Sequence, residues 1–190
     1  MESFYSRKEL EQIGFKALGN ENVLISRKAS IYGAENMTIG SNVRVDDFCI
    51  LSGKIELGNH IHIAAYSALY GGELGIYISD YANLSSRICI YSVSDDYSGE
   101  TMTNPMIPAE YKNVDSRPVY IGKHVIIGST SVVLPGVKLA EGSAFGCFSF
   151  INHDSEPWSV NVGIPFRKIK ARTKTILDLE KKLIEEEQFR

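Results

Sequence analysis

From Ile121 to Ile151 the chain reads in sixes: IGKHVI, IGSTSV, VLPGVK, LAEGSA, FGCFSF, then Ile151. The first slot holds Ile121, Ile127, Val133, Leu139, Phe145 and Ile151. The fifth holds Val125, Ser131, Val137, Ser143 and Ser149. A period of six is neither the 3.6 of a helix nor the 2 of a strand. It is the signature of a solenoid, here a parallel β-helix of hexapeptides. One large and one smaller residue per six face the interior, and Gly and Asn serve the turns between flat faces.

The same frame runs earlier. Ile39, Val45, Leu51, Leu57, Ile63 and Leu69 are spaced by six, with Val43, Cys49, Ile55, Ile61 and Ser67 in the fifth slot. The phase slips by three at Tyr70-Gly71-Gly72 and resumes at Ile78, Leu84 and Ile90, with Ala82, Ile88 and Ser94. Every first slot is Ile, Leu, Val or Phe. The expected fold is an all-β solenoid with short helices at both ends and one long extruded loop. It forms a single domain over 1–190: an N-terminal cap over 1–38, a β-helix over 39–170 and a C-terminal helix over 171–190.

The loop is residues 95–118, DDYSGETMTNPMIPAEYKNVDSRP, where the frame is lost. It is polar, proline-containing and aperiodic. A loop of this length inside a compact repeat carries function more often than not, so it reads as a substrate-facing arm. At the N-terminus Ser6 caps a helix running through Leu18, with Gly19 as its stop. Leu10, Ile13 and Ala17 form its apolar stripe, and the helix covers the open end of the coil. Residues 20–38 read as irregular repeat. The C-terminal helix starts near Thr173, with Ile176, Leu179 and Leu183 on its packed side and Glu185 to Glu187 in water.

Composition narrows the function classes. A net charge of −3 gives no electrostatic reason to expect nucleic acid or an anionic membrane surface. No run of eighteen apolar residues is present to span a bilayer, and MESFYSRKEL lacks a signal-type apolar core. The scattered cysteines Cys49, Cys89 and Cys147 read as reduced thiols of a cytoplasmic protein.

The repeats, the stretch IGKHVIIGSTSVVLPGVKL, the loop and the closing VGIPFRKIK together resemble the hexapeptide-repeat acyltransferases. The similarity is closest to their galactoside and maltose O-acetyltransferase branch, and it extends to Lys170. It implies a left-handed coil, a homotrimer with active sites between subunits, and acetyl-CoA as donor. No metal is expected. On this resemblance Gly128, Ser129 and Gly146 line the pantetheine groove. Asn152 and His153 match a polar pair near the adenine. Arg167 and Lys170 match the basic residues that meet the nucleotide phosphates, work suited to Arg forks and Lys point charges.

The sequence departs from the branch at the acceptor. Asp95, followed by Asp96, stands where those enzymes begin the loop with a catalytic His, and Ala64 stands where they carry an Asn. A carboxylate is a poor base for a hydroxyl. Either Asp95 acts with help from burial or Asp96, or His62 supplies the base from an adjacent subunit. His62 takes the outward sixth slot, with Asn83 in the same slot one coil on. His60 and His124 sit at turns and read as solvent-exposed. Asn83, Asp96 and Tyr97 complete the candidate acceptor-binding set.

The leading expectation is acetyl transfer to a hydroxyl of a sugar-like acceptor. The alternative is transfer to the amine of an amino sugar or a nucleotide-linked amino sugar, which needs a protein base less. A zinc lyase requires three His, and His60 and His62 lack a third. A catalytically inactive trimeric scaffold would dispense with the Gly163-Ile164-Pro165 and Arg167 that this chain retains.

Overall fold

The computed structural model describes residues 3–188. It is a parallel solenoid of about seven turns. Three flat faces run its length. The first stacks Ala17–Leu18, Met37–Ile39, Ile55–Leu57, Ile76–Ile78, Val119–Ile121 and Lys138–Leu139. The second stacks Val23–Ile25, Val43–Val45, Ile61–Ile63, Asn83–Leu84, Ile126–Ile127, Ala144–Phe145 and Ser159–Val162, with Arg167–Ala171 added antiparallel. The third stacks Ser30–Tyr32, Ile50–Ser52, Ala68–Tyr70, Cys89–Tyr91, Val132–Val133 and Phe150–Ile151.

The register explains the core. Each first-slot residue lies over the first-slot residue of the next coil, as in Val45 on Ile63, Ile63 on Leu84 and Leu84 on Ile127. All first slots are buried, and so are the fifth slots apart from Ser94. Two of the buried serines are satisfied by corner carbonyls: Ser131 Oγ donates to Gly128 at 2.7 Å, and Ser149 Oγ donates to Gly146 at 2.7 Å, whereas the buried Ser143 Oγ has no partner among the described residues. At Ser131 and Ser149 a small polar residue closes the corner without leaving an unpaired group. Burial pushes the Cys49 thiol up to about 11, which fits an inert core position. The phase slip is a turn at the third corner. A Cβ on Gly71 would meet the Lys54 carbonyl oxygen at 2.0 Å, so the coil tolerates only glycine at this approach.

The ends differ from the sequence expectation. Helix α1 spans Arg7–Ile13, with Ser6 and Glu9 forming a reciprocal capping box. It stops at Gly14, which is left-handed at φ 86°, rather than at Gly19. Ala17 is therefore a strand residue, paired with Thr38. The coil begins at Ala17, not Ile39, because residues 17–32 supply all three faces of a first turn despite their irregular hexads. Leu10 is the buried residue of α1.

Helix α2 spans Ile176–Gln188, and the expected helix residues 189–190 lie outside the described residues. It does not pack through Leu179, which is 59% exposed. Ile176, Leu177 and Glu180 face the coil instead. Ion pairs thus replace part of the expected apolar stripe: Glu180 binds Lys123 and His124, and Glu187 lies 3.5 Å from His60. His124 is accordingly buried at a turn, contrary to the solvent-exposed reading, with its Nε2 2.8 Å from the Glu180 carboxylate. No helix is long and apolar enough to cross a membrane among the described residues.

Candidate active site

The arm leaves the coil through an antiparallel stem, Val93–Asp95 against Val114–Ser116, which pairs Asp95 with Val114. The parallel ladder continues past it, since Cys89–Ile90 pair directly with Val132–Val133. The stem holds the arm over the third face. Between arm and face lies a cleft of about 910 Å³ lined by Asp95, Asp96, Tyr97, Asp115, Arg117, Leu134, Phe150 and Asn152, among others.

The polar groups of this cleft have different tasks. Asp96 accepts from Ser98 N, Ser98 Oγ and Thr101 Oγ1, each at 2.8 Å. Those hydrogen bonds hold its carboxyl below the usual range and commit it to shaping the loop. Arg117 and Asp115 form a bidentate pair, at 2.8 and 2.6 Å. Among the described residues, the Asp95 side chain has no hydrogen-bond or ion-pair partner. It is the unengaged carboxylate of the cleft. Tyr97 is 92% exposed at the rim.

Arg117 and Asp115 were not legible in the repeat frame, because they lie where that frame is interrupted. Asn152, expected with the donor, lines the same cleft as Asp95. His153 turns away from it, stacking on Phe166 at 4.0 Å.

His62 lies on the second face, beside Asn83 in register as its slot requires. Its Nε2 is 2.8 Å from Asp46, which also accepts from Arg44 at 2.7 Å. Burial raises the Asp46 carboxyl, but the hydrogen bonds from His62 and Arg44 outweigh it and leave it below its usual value. Within one chain His62 and Asp95 belong to different faces and share no cleft.

Gly128, Ser129 and Gly146 fall at the corner between the second and third faces. A Cβ on Gly128 would meet Cys147 N at 2.5 Å, so the spacing of coils alone already demands glycine there. Arg167 and Lys170 are three apart and would face opposite ways on a regular strand. A bulge corrects this: Val162 pairs with Arg167 and Val160 with Lys170, while Ile169 is skipped. The two cations therefore share the face of Val160 and Val162. Both are exposed, and neither has an ion-pair partner among the described residues. No group of three His, Cys, Asp or Glu is placed to hold a metal among the described residues.

A parallel coil with an arm-walled cleft and a basic edge strand defines a β-solenoid protein with a candidate ligand cleft. Known proteins sharpen that class. The chain is 53% identical over 175 residues to an Escherichia coli dTDP-4-amino-4,6-dideoxy-D-glucose acyltransferase, with 90% of each chain covered. It superposes with TM-score 0.95 and 50% identity on AntD, an N-acyltransferase from Bacillus cereus solved with dTDP-4-amino-4,6-dideoxyglucose and coenzyme A. That match covers 98% of this chain and 100% of AntD. A galactoside acetyltransferase bound to coenzyme A shares the fold at TM-score 0.56 and 20% identity, over 89% of this chain and 71% of its own. No family model matches. The chain belongs to the hexapeptide-repeat acyltransferases, whose coil is left-handed, and is an enzyme of that family.

Proposed function

We propose that this enzyme transfers an acyl group from acyl-coenzyme A to the 4-amino group of a thymidine-diphosphate amino-deoxysugar, the acceptor named for its relatives. This favours the amine acceptor over the hydroxyl. One observation carries the choice: the carboxylate left unengaged in the cleft is Asp95, where a hydroxyl acceptor would call for a stronger base. An amine is already nucleophilic when neutral. Its lone pair attacks the thioester carbonyl, the N–C bond forms and the C–S bond breaks. Asp95 accepts the proton that nitrogen sheds and passes it to the departing thiolate, which leaves as the free thiol of coenzyme A.

AntD was also solved with substitutions at a serine and an aspartate ten positions apart in its own numbering. Ser85 and Asp95 have that spacing here, which supports a role for both. Nothing in the hexad frame distinguishes Ser85 from other corner serines. Asn83 and Tyr97 contribute to the acceptor site, while Asp96 acts through the loop that it holds.

Acetyl-CoA or a larger acyl-CoA, such as the 3-hydroxybutyryl-CoA bound by AntD, occupies the corner of Gly128, Ser129 and Gly146. Arg167 and Lys170 meet its phosphates on their shared face, and His153 borders the adenine. The enzyme is a cytoplasmic homotrimer with clefts between subunits, a reading supported by its flat faces and free cysteines. In that assembly His62, held by Asp46, either assists Asp95 from a neighbouring subunit or only braces the interface.

The test is a thiol-release assay with acetyl-CoA and a panel of acceptors, products being identified by mass spectrometry. The expected product is an amide on the thymidine-diphosphate amino sugar. Esters on neutral glycosides, with no amide, would overturn the assignment.

A further inference from the structure

The corner between the second and third faces carries a side-chain column that the chemistry above leaves unused. Five coils place a left-handed residue there: Phe48 at φ 60°, Tyr66 at 64°, Arg87 at 61°, Thr130 at 64° and Phe148 at 58°. Gly or Asn meets that backbone demand most cheaply. The corner between the first and second faces uses Asn at Asn22 and Asn42, and where it carries rings instead, at His60, Tyr81 and His124, they form a stack of their own. In three successive coils two aromatics and an arginine occupy the costlier alternative, which implies that their side chains are wanted.

Those side chains stack in solvent. The rings of Phe48 and Tyr66 are 5.0 Å apart and inclined by 21°, and the Arg87 guanidinium lies 5.7 Å over Tyr66. The rings are 48% and 54% exposed. Lys28 covers Phe48 from below, but its ammonium is neutralised by Asp47 at 2.8 Å. Arg87 has no carboxylate partner among the described residues. Next to it, Ser86 Oγ lies 3.4 Å from Ser129 Oγ. The column therefore runs into the corner assigned to the donor, where Ser129 and Thr130 follow and the exposed Phe148 closes the next coil.

We propose that this column is the nucleotide half of the acceptor site, with Arg87 holding the diphosphate and Tyr66 and Phe48 the base. The inference rests on the acceptor reading given above. A guanidinium held flat on a ring still directs its outer N–H groups at solvent, in the fork geometry that phosphate accepts. Exposed stacked rings offer a platform for a base and are tolerant of which base it is. Coenzyme and nucleotide then occupy successive halves of one edge.

Calorimetry with thymidine diphosphate alone, without sugar or coenzyme, tests this. Arg87→Ala should weaken its binding at least about tenfold, the loss of one charge-assisted contact, and Arg87→Lys should recover part of it. Binding of thymidine should be unchanged by Arg87→Ala and weakened by Tyr66→Ala. Equal thymidine diphosphate affinity in wild type and Arg87→Ala would overturn the inference while leaving the acceptor reading intact. Wild-type protein that binds no thymidine diphosphate would overturn both. A change in oligomeric state in either variant, read by light scattering, would reassign the column to a subunit contact and overturn the inference.

Discussion

Two corners of this prism obey the same backbone rule and end differently. Along the first, His60, Tyr81 and His124 stack at 4.8 and 5.1 Å, with Trp158 tilted at 6.2 Å. Helix α2 lies against this stack. Glu180 takes both Lys123 and His124, and Arg172 donates to the carbonyls of His124 and Gly142 at 2.8 and 3.0 Å. Along the second, Phe48, Tyr66 and Arg87 stack without a cover. A stack sealed by a helix with its charges neutralised contributes to holding the coil. A stack left in solvent with an uncommitted cation is a surface for something else. What separates them is whether each polar group has a partner, not the turn geometry.

This division predicts that stability changes gather at the sealed corner and functional changes at the open surfaces. The largest effect should come from Asp95→Asn, which should lower turnover by about a hundredfold or more, the usual weight of a proton-transfer group. Coenzyme affinity and melting temperature should not move, and steady-state kinetics with calorimetry checks all three. The corresponding break on the sealed side is Glu180→Ala. It strands Lys123 and His124, a cost of about 1–3 kcal/mol, and should lower the melting temperature by roughly 2–4 °C per kcal/mol. Coenzyme affinity should be untouched. If turnover falls as much as in Asp95→Asn, the division fails.

The next effect should be on the donor. Replacing both Arg167 and Lys170 by Ala should weaken coenzyme A binding about tenfold, as for lost charge-assisted contacts. Dephospho-coenzyme A should lose less if they meet the 3′-phosphate. A pH titration sharpens the sealed side. Burial raises the Glu180 carboxyl, but hydrogen bonds from Lys123 and His124 lower it further, so its folded value lies below the ordinary one. Its stabilisation is complete above the unfolded carboxylate value of about 4.3 and is lost as pH falls through the lower folded value. Wild type should therefore lose more stability than Glu180→Ala across that window, by scanning calorimetry. The smallest effect should be Phe48→Ala, whose change in stability should stay within about 0.5 kcal/mol, as for exposed sites.

The coil was legible because a period of six admits few folds, and every first slot that it names is buried. The arm was legible as the place where that period stops. Three features were not. Residues 17–32 form a full turn held by their pairing with 37–52, although their own hexads are degenerate. His124 is buried only because α2 returns to it from 56 residues away, a contact no local pattern encodes. The shared face of Arg167 and Lys170 depends on a bulge at Ile169, which changes the parity that spacing alone would give. Of the expected site, the sequence brought Asp95, Asp96 and Tyr97 to one place. It could not tell that Asp96 is spent within the loop, since that depends on the loop's folded shape.

The antiparallel stem beneath the arm has an evolutionary consequence. Because Cys89–Ile90 rest directly on Val132–Val133, the ladder is continuous whether or not the arm is there. The stem brings the arm's two ends together, so a longer or shorter excursion changes the closure entropy only slowly. The segment between Asp95 and Val114 is thus an interchangeable cassette. On the function proposed above, exchanging it would change the acceptor surface and leave the stacked coils in place.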